Sequence, residues 1–234
     1  MERHVKVEIW SDIVCPWCYM GKIRFERALA EFPHRDQVEV VYRAFELDPT
    51  IPRGETRDVV ADLARKKGAT EGQIRKLMAS VEEVAAADGL EYHLAEARSG
   101  NTVDAHRLVH LAAGEGRGAE MLERLYRAHF TELRSIFEPE SLAELAGDAG
   151  IDPAAAGSAL DGDAFADRVR EDEALARSLG ISGVPFFVLD GTYGLSGAQP
   201  VAAFAQALAQ AWAATHPLET VTAGGAVCED GVCY

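Results

Sequence analysis

Alternating apolar and polar residues open the chain and predict a β-strand from Val5 to Trp10. A second segment, from Val38 to Phe45, is β-branched and aromatic and predicts another strand. The segment between them predicts a helix, because apolar residues recur at helical spacing at Phe25, Ala28, Leu29 and Phe32. Strand, helix and strand in this order predict a βαβ unit with parallel strands and a right-handed crossover.

The pattern changes to alanine-rich, charge-laced helical periodicity between Thr56 and Leu160, and no convincing strand is predicted there. One amphipathic helix face is traced by Met121, Leu122, Leu125, Tyr126, His129, Phe130 and Leu133. A later helix is indicated by Phe165, Val169, Asp172, Leu175 and Leu179. A helical block of this length between strands predicts an insertion that packs on a sheet domain.

Strand character returns from Val184 to Asp190. Gly191 then predicts a turn, and the segment from Thr192 to Leu195 is expected to pair back as a hairpin. A helix is predicted to begin at Pro200, because proline is well placed at a helix N-terminus.

Composition and charge narrow the class of protein. The chain has 234 residues, of which 48% are hydrophobic, so a packed core is expected. The formal net charge of -15 argues against nucleic acid or an anionic membrane surface as a partner. No apolar run approaches the ~20 residues of a membrane span, and the first strand follows Met1 to His4 directly. We therefore expect a cytoplasmic protein, although a cleaved leader would be missing from a mature sequence.

Two cysteines stand between the first strand and the first helix, in the segment Cys15-Pro16-Trp17-Cys18. A thiolate at a helix N-terminus is stabilised by the macrodipole, and a second cysteine at this spacing can close a disulfide. The alternatives are half of a zinc site or two core cysteines. The position between strand and helix favours a redox dithiol, and we assign no metal and no cofactor.

One predicted helix carries polar residues without an obvious partner. Asn101 or Thr102 is expected to cap its N-terminus. His106 and His110 lie four residues apart on it, a spacing compatible with a metal site. We assign no metal to them, because no third ligand is fixed beside them by sequence.

The chain resembles the DsbA-like thioredoxin-fold proteins of the FrnE type over nearly its whole length. Four segments carry the resemblance: Ser11-Asp12-Ile13-Val14-Cys15-Pro16-Trp17-Cys18, Asn101-Thr102-Val103-Asp104-Ala105-His106-Arg107, Gly183-Val184-Pro185-Phe186 and Gly197-Ala198-Gln199-Pro200. The implied fold class is α/β, a thioredoxin fold with a large all-helical insertion. We expect a discontinuous thioredoxin-fold domain over 1–50 and 163–216, the insertion over 56–162, and a flexible tail over 217–234.

The resemblance implies roles for the site residues. Cys15 would be the exposed nucleophile, and Cys18 the buried thiol that releases the mixed disulfide. Pro185 matches the family's cis-proline, and Val184 would lend its backbone N–H and C=O to a substrate strand.

The dipeptide inside the CxxC motif is expected to tune the redox reaction. Pro16 removes a donor and stiffens the first turn. Trp17 contributes no charge where strongly oxidising relatives often carry a histidine. We therefore expect an intermediate redox potential.

The favoured function is that of a thiol:disulfide oxidoreductase, which reduces, oxidises or isomerises disulfides. Its partners would be protein or small-molecule thiols and disulfides, with glutathione or a thioredoxin-type reductant as candidate electron donors. One alternative is a glutathione-dependent isomerase or a kappa-type glutathione transferase, which the fold also resembles but which does not need Cys18. Another is a peptide-binding chaperone module that uses a groove around Trp17 and Pro185.

A second cysteine pair, Cys228 and Cys233, stands at the end of the chain. Two inert thiols or a local disulfide loop are one explanation. The other is a second redox pair that exchanges electrons with Cys15. About eleven residues separate Pro217 from Cys228, and at ~3.3 Å per residue they could reach roughly 36 Å.

Overall fold

A computed structural model describes residues 4–216 and the backbone of two short segments, 228–229 and 232–233. Its helices are α1 (Pro16–Ala30), α2 (Val59–Lys67), α3 (Glu71–Ala87), α4 (Val103–Gly114), α5 (Gly118–Phe130), α6 (Pro139–Asp148), α7 (Pro153–Asp161), α8 (Ala166–Ser178) and α9 (Val201–Thr215). Its strands are β1 (Val5–Ser11), β2 (Val38–Ala44), β3 (Thr56–Asp58), β4 (Arg98–Gly100), β5 (Phe186–Leu189), β6 (Tyr193–Ser196), β7 (Cys228–Glu229) and β8 (Val232–Cys233).

The main sheet has four strands in the order β2-β1-β5-β6. β1 and β2 are parallel and begin in register at Val5 and Val38, which confirms the βαβ unit. β5 runs antiparallel to β1. It also forms a hairpin with β6, as the sequence predicted. Because β1 is an inner strand, the loop at its carboxyl end, which leads into the CxxC motif, starts from the middle of the sheet.

Helices α1 and α9 pack on the same side of the sheet. Phe25 of α1 contacts Phe187 of β5, at a ring-centroid distance of 5.7 Å, and Phe204 of α9, at 5.8 Å. The alternation in β1 sends Val5 and Ile9 into this core. Trp10 points to the other side and packs against α8 and its following loop.

The segment between β2 and α8 is mostly helical, but it is not all helix. β3 and β4 form a two-stranded antiparallel ladder in which Thr56 faces Gly100. A Cβ at Gly100 would lie 2.6 Å from Cδ1 of Phe137, so a side chain would not fit there. Strands of three residues contain too little alternation for the sequence pattern to predict them.

Helix α1 belongs to two cores at once. Its first half, with Cys18 and Tyr19, packs into the core of the helical segment, whereas Phe25 and Ala28 belong to the core under the sheet. The Tyr19 ring stacks on Tyr126 of α5 at a centroid distance of 4.8 Å. The helix that carries the CxxC motif therefore joins the sheet to the inserted helices.

The tail is described only in part. The backbone of β7 pairs antiparallel with β8, so that Cys228 faces Cys233. The side chains of this second cysteine pair, and the flexibility predicted for 217–234, lie outside the described residues. Within residues 4–216, no helix combines the length and the apolar composition needed to cross a membrane.

Candidate active site

Cys15 is the residue from which α1 starts. Its backbone is extended, with φ -94° and ψ 111°, and helical geometry begins at Pro16, which has no N–H to leave unpaired. The Cys15 N–H donates to the Asp12 carbonyl oxygen at 3.1 Å. No acidic residue stands in the first turn of the helix, so its partial positive charge is available to a sulfur anion at Cys15.

Cys15 is less accessible than expected. Only 6% of the residue is exposed, whereas the neighbouring Trp17 is 39% exposed. The Cys15 Sγ lies 3.7 Å from the carbonyl oxygen of Val184, within the distance at which a thiol donates a hydrogen bond to a carbonyl. The sequence prediction of an exposed nucleophile is therefore corrected to a sulfur under the loop that precedes β5.

That loop is held against α1 by a close contact. The Val184–Pro185 peptide is cis, the isomer that the resemblance implied. A Cβ at Gly21 would lie 3.0 Å from Cγ of Pro185, so the proline ring packs where a side chain would otherwise stand. The Pro185 carbonyl accepts the Gly197 N–H at 2.8 Å. Within residues 4–216, the Val184 N–H donates to no other residue, so it remains free to bind a ligand.

Cys18 is the second sulfur of the site and is 1% exposed. Burial raises the pKa of its thiol well above the ordinary value, and the neighbouring Cys15 raises it further. The Asp12 charge also raises this pKa, whereas a hydrogen bond from the Asp12 backbone lowers it. Cys15 and Cys18 are both free thiols, so the described site is in its dithiol form.

Asp12, which the sequence did not single out, supports the loop between β1 and α1. It is 1% exposed, and its Oδ2 accepts the Leu47 N–H at 2.7 Å. Its Oδ1 lies 3.4 Å from Nε2 of His106 on α4. Asp12 precedes His106 by more than ninety residues, so no local pattern in the sequence indicates this contact.

The N-terminus of α4 is capped by Asn101 rather than by the N-cap residue Thr102. The Asn101 Oδ1 accepts the Val103 N–H at 3.0 Å, whereas Thr102 makes no capping bond with its side chain. His106 and His110 on this helix contact different carboxylates, because His110 Nε2 lies 2.9 Å from Oδ2 of Asp172.

Two tyrosines from the segment between β2 and α8 reach the start of α1 and the loop before it. The Tyr92 hydroxyl donates to the Pro16 carbonyl at 3.0 Å, and the Tyr126 hydroxyl lies 3.5 Å from the Asp12 carbonyl. The four predicted site residues thus lie together. Cys15 and Cys18 come from the start of α1, and Val184 and Pro185 come from the loop before β5. The tyrosines come from the segment between β2 and α8.

Comparisons with known proteins agree with this fold. The model of the family described as DSBA-like thioredoxin domain matches residues 6–209. The crystal structure of the probable DsbA oxidoreductase SCO1869 from Streptomyces coelicolor is 48% identical, with 99% of both chains covered and a TM-score of 0.87.

Two further relatives are more distant. The uncharacterized protein YwbO of Bacillus subtilis (strain 168) is 29% identical over 190 residues, which are 80% of this chain and 88% of that protein. The cytosolic disulfide reductase DsbM from Pseudomonas aeruginosa, solved with GSH, is 23% identical with a TM-score of 0.62. That match covers 88% of this chain and 98% of DsbM, and at this identity it shows the shared fold.

Proposed function

Because the chain belongs to the DSBA-like thioredoxin domain family, we propose that it is a thiol:disulfide oxidoreductase whose reacting sulfurs are those of Cys15 and Cys18. The observation that carries this proposal is the placement of the Cys15 sulfur at the start of α1, 3.7 Å from the Val184 carbonyl. Cys18 lies in the first turn of the same helix, at the spacing from which a disulfide can close.

The reaction with a substrate disulfide has two exchanges. The Cys15 thiolate attacks one substrate sulfur, the substrate S–S bond breaks, and the first substrate thiolate leaves. Cys18 then loses its proton to solvent and attacks the Cys15 sulfur. The mixed disulfide breaks, the second substrate thiolate leaves, and a Cys15–Cys18 disulfide forms. Two electrons pass from the dithiol to the substrate, and the reverse sequence oxidises a substrate dithiol.

The loop before β5 provides a docking edge for an extended substrate. The free Val184 N–H and the Val184 carbonyl can pair with a substrate backbone, as an added strand would. Trp17 stands exposed beside Cys15 and offers an apolar surface that tolerates many side chains. Substrates of this kind are unfolded or flexible segments that contain a disulfide or a thiol pair.

We infer that the net direction is reduction or isomerisation in the cytoplasm, with glutathione or a thioredoxin-type protein as electron donor. Pro16 and Trp17 add no positive charge beside Cys15, so the thiolate depends on the helix terminus alone. This favours a potential below that of strongly oxidising relatives. A redox titration in glutathione buffers measures the potential, and cell fractionation tests the compartment.

The direct test is reduction of insulin disulfides by the full chain with dithiothreitol as electron source. Wild type is expected to reduce insulin, and Cys15→Ser is expected to lose activity to the uncatalysed level. Cys18→Ser is expected to accumulate a mixed disulfide with insulin, because no second sulfur releases it. Activity that survives Cys18→Ser and requires glutathione would contradict the dithiol mechanism and favour a glutathione-dependent isomerase or transferase. Holdase activity alone, retained in Cys15→Ser/Cys18→Ser, would favour a chaperone module.

The second cysteine pair is proposed to relay electrons to the first. Helix α9 ends at Thr215, and its Trp212 ring stacks on His34 at 3.9 Å, beyond the C-terminal end of α1. Helix α1 is about 22 Å long, so the start of the tail lies roughly that far from Cys15. Eleven extended residues reach about 36 Å and could span this distance.

Removal of the residues after Pro217 tests the relay. Turnover with a physiological reductant is expected to fall, while the direct reaction of Cys15 with a small disulfide stays unchanged. A full-length control with Cys228→Ser/Cys233→Ser separates loss of the thiols from loss of the tail. If both variants keep the turnover and redox potential of wild type, the relay is wrong.

A further inference from the structure

Beneath the active-site loop, three side chains bring polar atoms that lack hydrogen bonds. They are Oδ1 of Asp12, Nε2 of His106 and Oε2 of Glu46, none of which is hydrogen-bonded within the described part of the chain. Asp12 and His106 are 1% and 3% exposed. Unpaired buried polar atoms are costly, so their concentration in one place next to the two thiols calls for a physical explanation.

Asp12 and His106 form the centre of this cluster. Oδ1 and Nε2 are 3.4 Å apart, which is within the distance of an ion pair, although the ring is not aligned for a hydrogen bond. An isolated carboxylate at this depth is strongly disfavoured, and a cation beside it offsets part of that cost. The imidazole of His106 is therefore the nearest group placed to offset the charge of this carboxylate.

The charge of this pair is felt at Cys18. Burial and the neighbouring Cys15 are the larger causes of the raised pKa of the Cys18 thiol, and the Asp12 carboxylate adds to them in the same direction. A hydrogen bond from the Asp12 backbone acts in the opposite direction. During release of a mixed disulfide, Cys18 has to become a thiolate. An uncompensated Asp12 carboxylate would oppose that ionisation, and a cation beside Asp12 would ease it.

His106 is the group best placed to supply this cation. The other charged or titratable groups around the pair are Cys15 on α1, Glu46 after β2, Tyr126 and His129 on α5, and Glu173 on α8. Burial lowers the pKa of His129 to about 4, so this imidazole is neutral at neutral pH. Glu173 adds negative charge, and Tyr126 is a neutral phenol. Glu46, whose pKa is raised to about 7 by burial, is only partly ionised at neutral pH. His106 alone among them lies within ion-pair distance of Asp12.

We propose that His106 and Asp12 are positioning residues for the resolving step, in which the imidazole from α4 neutralises the Asp12 carboxylate so that Cys18 can ionise and release the mixed disulfide. Neither residue touches the substrate. The inserted helices would thereby control the second exchange but not the first. This inference rests on the proposed dithiol chemistry of Cys15 and Cys18.

A two-phase thiol assay separates the exchanges. The full chain with Cys228→Ser/Cys233→Ser is reduced and mixed with dithiobis-nitrobenzoate. Attack by Cys15 breaks the reagent disulfide and releases one coloured thiolate. Cys18 then loses its proton to the buffer and attacks Cys15, which releases the second thiolate. The two rates are followed by stopped-flow absorbance as a function of pH.

In this background, His106→Gln is expected to slow the second phase about tenfold at neutral pH. The release profile, which is the rate of the second phase plotted against pH, then shifts upwards by about one pH unit. The first phase is expected to stay within about twofold of wild type. Adding Asp12→Asn to His106→Gln removes the uncompensated charge and is expected to restore the wild-type release profile. Asparagine keeps a carbonyl oxygen for the Leu47 N–H.

His110→Gln is the matched control. His110 lies one turn later on α4 and also pairs with a buried aspartate, Asp172, but it does not contact Asp12. Both phases are expected to remain within about twofold of wild type. If His110→Gln slows the second phase as much as His106→Gln does, the effect comes from a general loosening of α4 and the proposal is overturned.

Other outcomes also decide the matter. An unmoved release profile in His106→Gln, or no recovery in the double variant, overturns the proposal. If His106→Gln does not fold, Asp12→Asn alone is measured. The pH midpoint of its release profile is expected to equal that of wild type or to lie below it. A higher midpoint would show that Asp12 accepts the Cys18 proton instead. Absence of the first phase in the parent protein would contradict the proposed function itself, so the two failures are distinguishable.

Discussion

Glu46 is the carboxyl whose ionisation should make stability depend on pH. Burial raises its pKa to about 7 from an ordinary value of 4.5, and nearby His106 only partly offsets this. Between these two values the folded protein keeps a proton that the unfolded chain has lost. Stability should therefore fall as the pH rises through this window, and the full cost is present above about pH 7.

We predict that Glu46→Gln raises the free energy of unfolding by about 1–2 kcal/mol at pH 8 and leaves it unchanged at pH 4. Urea unfolding at both pH values measures the difference. The exposed Glu83 on α3 provides a control, because Glu83→Gln should have little effect at either pH. An equal gain from Glu46→Gln at pH 4 and pH 8 would show that the carboxylate charge is not the cause.

Gly21 has only a hydrogen atom as its side chain, and this lets the loop before β5 approach α1. Alanine there would gain about 1 kcal/mol of helix propensity, but its Cβ, 3.0 Å from Cγ of Pro185, would force the proline ring away at a cost of about 1–3 kcal/mol. We predict that Gly21→Ala lowers both the stability, by about 1 kcal/mol, and the rate of insulin reduction.

Gly157 in α7 is the matched control, because a Cβ there meets no atom within 4 Å. Gly157→Ala should raise the free energy of unfolding by up to about 1 kcal/mol and leave insulin reduction unchanged. If thermal unfolding shows that Gly21→Ala stabilises the protein as Gly157→Ala does, the contact with Pro185 has no energetic weight.

At the scale of elements, Asp172 joins a strand and two helices. From α8 it accepts hydrogen bonds from Arg43 at 2.8 Å and from the Ala44 N–H at 2.9 Å, both of β2. Its Oδ2 also lies 2.9 Å from Nε2 of His110 on α4. Burial opposes its ionisation, but the bonds from His110, Ala44 and Arg43 outweigh burial and lower its pKa.

We predict that Asp172→Asn destabilises the protein by about 3 kcal/mol at neutral pH, because Arg43 and His110 lose a buried charged partner. The folded pKa of Asp172 is depressed, so its contribution is present above the unfolded value of about 3.9 and is lost as the pH falls through the folded pKa. Chemical unfolding at pH 7 and at pH 3 should show a difference that shrinks with acid. An equal difference in stability at pH 7 and pH 3 would show that lost packing, and not the lost charge, destabilises the variant.

At the scale of the whole molecule, the two cores should unfold together. Cys18 is buried among the inserted helices, whereas Phe25 on the same helix is buried under the sheet. A helix cannot lose one of these faces without disturbing the other, so the inserted helices should not open separately.

We predict a single transition in urea for the full chain with Cys15→Ser/Cys228→Ser/Cys233→Ser, in which Cys18 is the one remaining thiol. The midpoint for alkylation of Cys18 should coincide with the midpoint for tryptophan fluorescence, to which the buried Trp10 contributes together with Trp17 and Trp212. Alkylation at clearly lower urea would show that the inserted helices open first.

The sequence by itself determined the order of the main-sheet strands with the helical block between them, the parallel start of the sheet and the hairpin of β5 and β6. It also placed two thiols at a helix N-terminus. These features depend on periodicity and on neighbours within a few residues, which a single chain displays directly. The three-residue strands β3 and β4 escaped prediction because they offer almost no periodicity, and they depend on the fit of Gly100 to Phe137.

Only the tertiary structure decided how the site is surrounded. It placed Cys15 at the Val184 carbonyl, set Pro185 against Gly21, and brought His106 to Asp12. Each of these contacts joins segments that are far apart in the chain, and their energies depend on burial and on distances of a few tenths of an ångström. Local pattern carries no such information, because the same residues in another packing would have other neighbours and other charges.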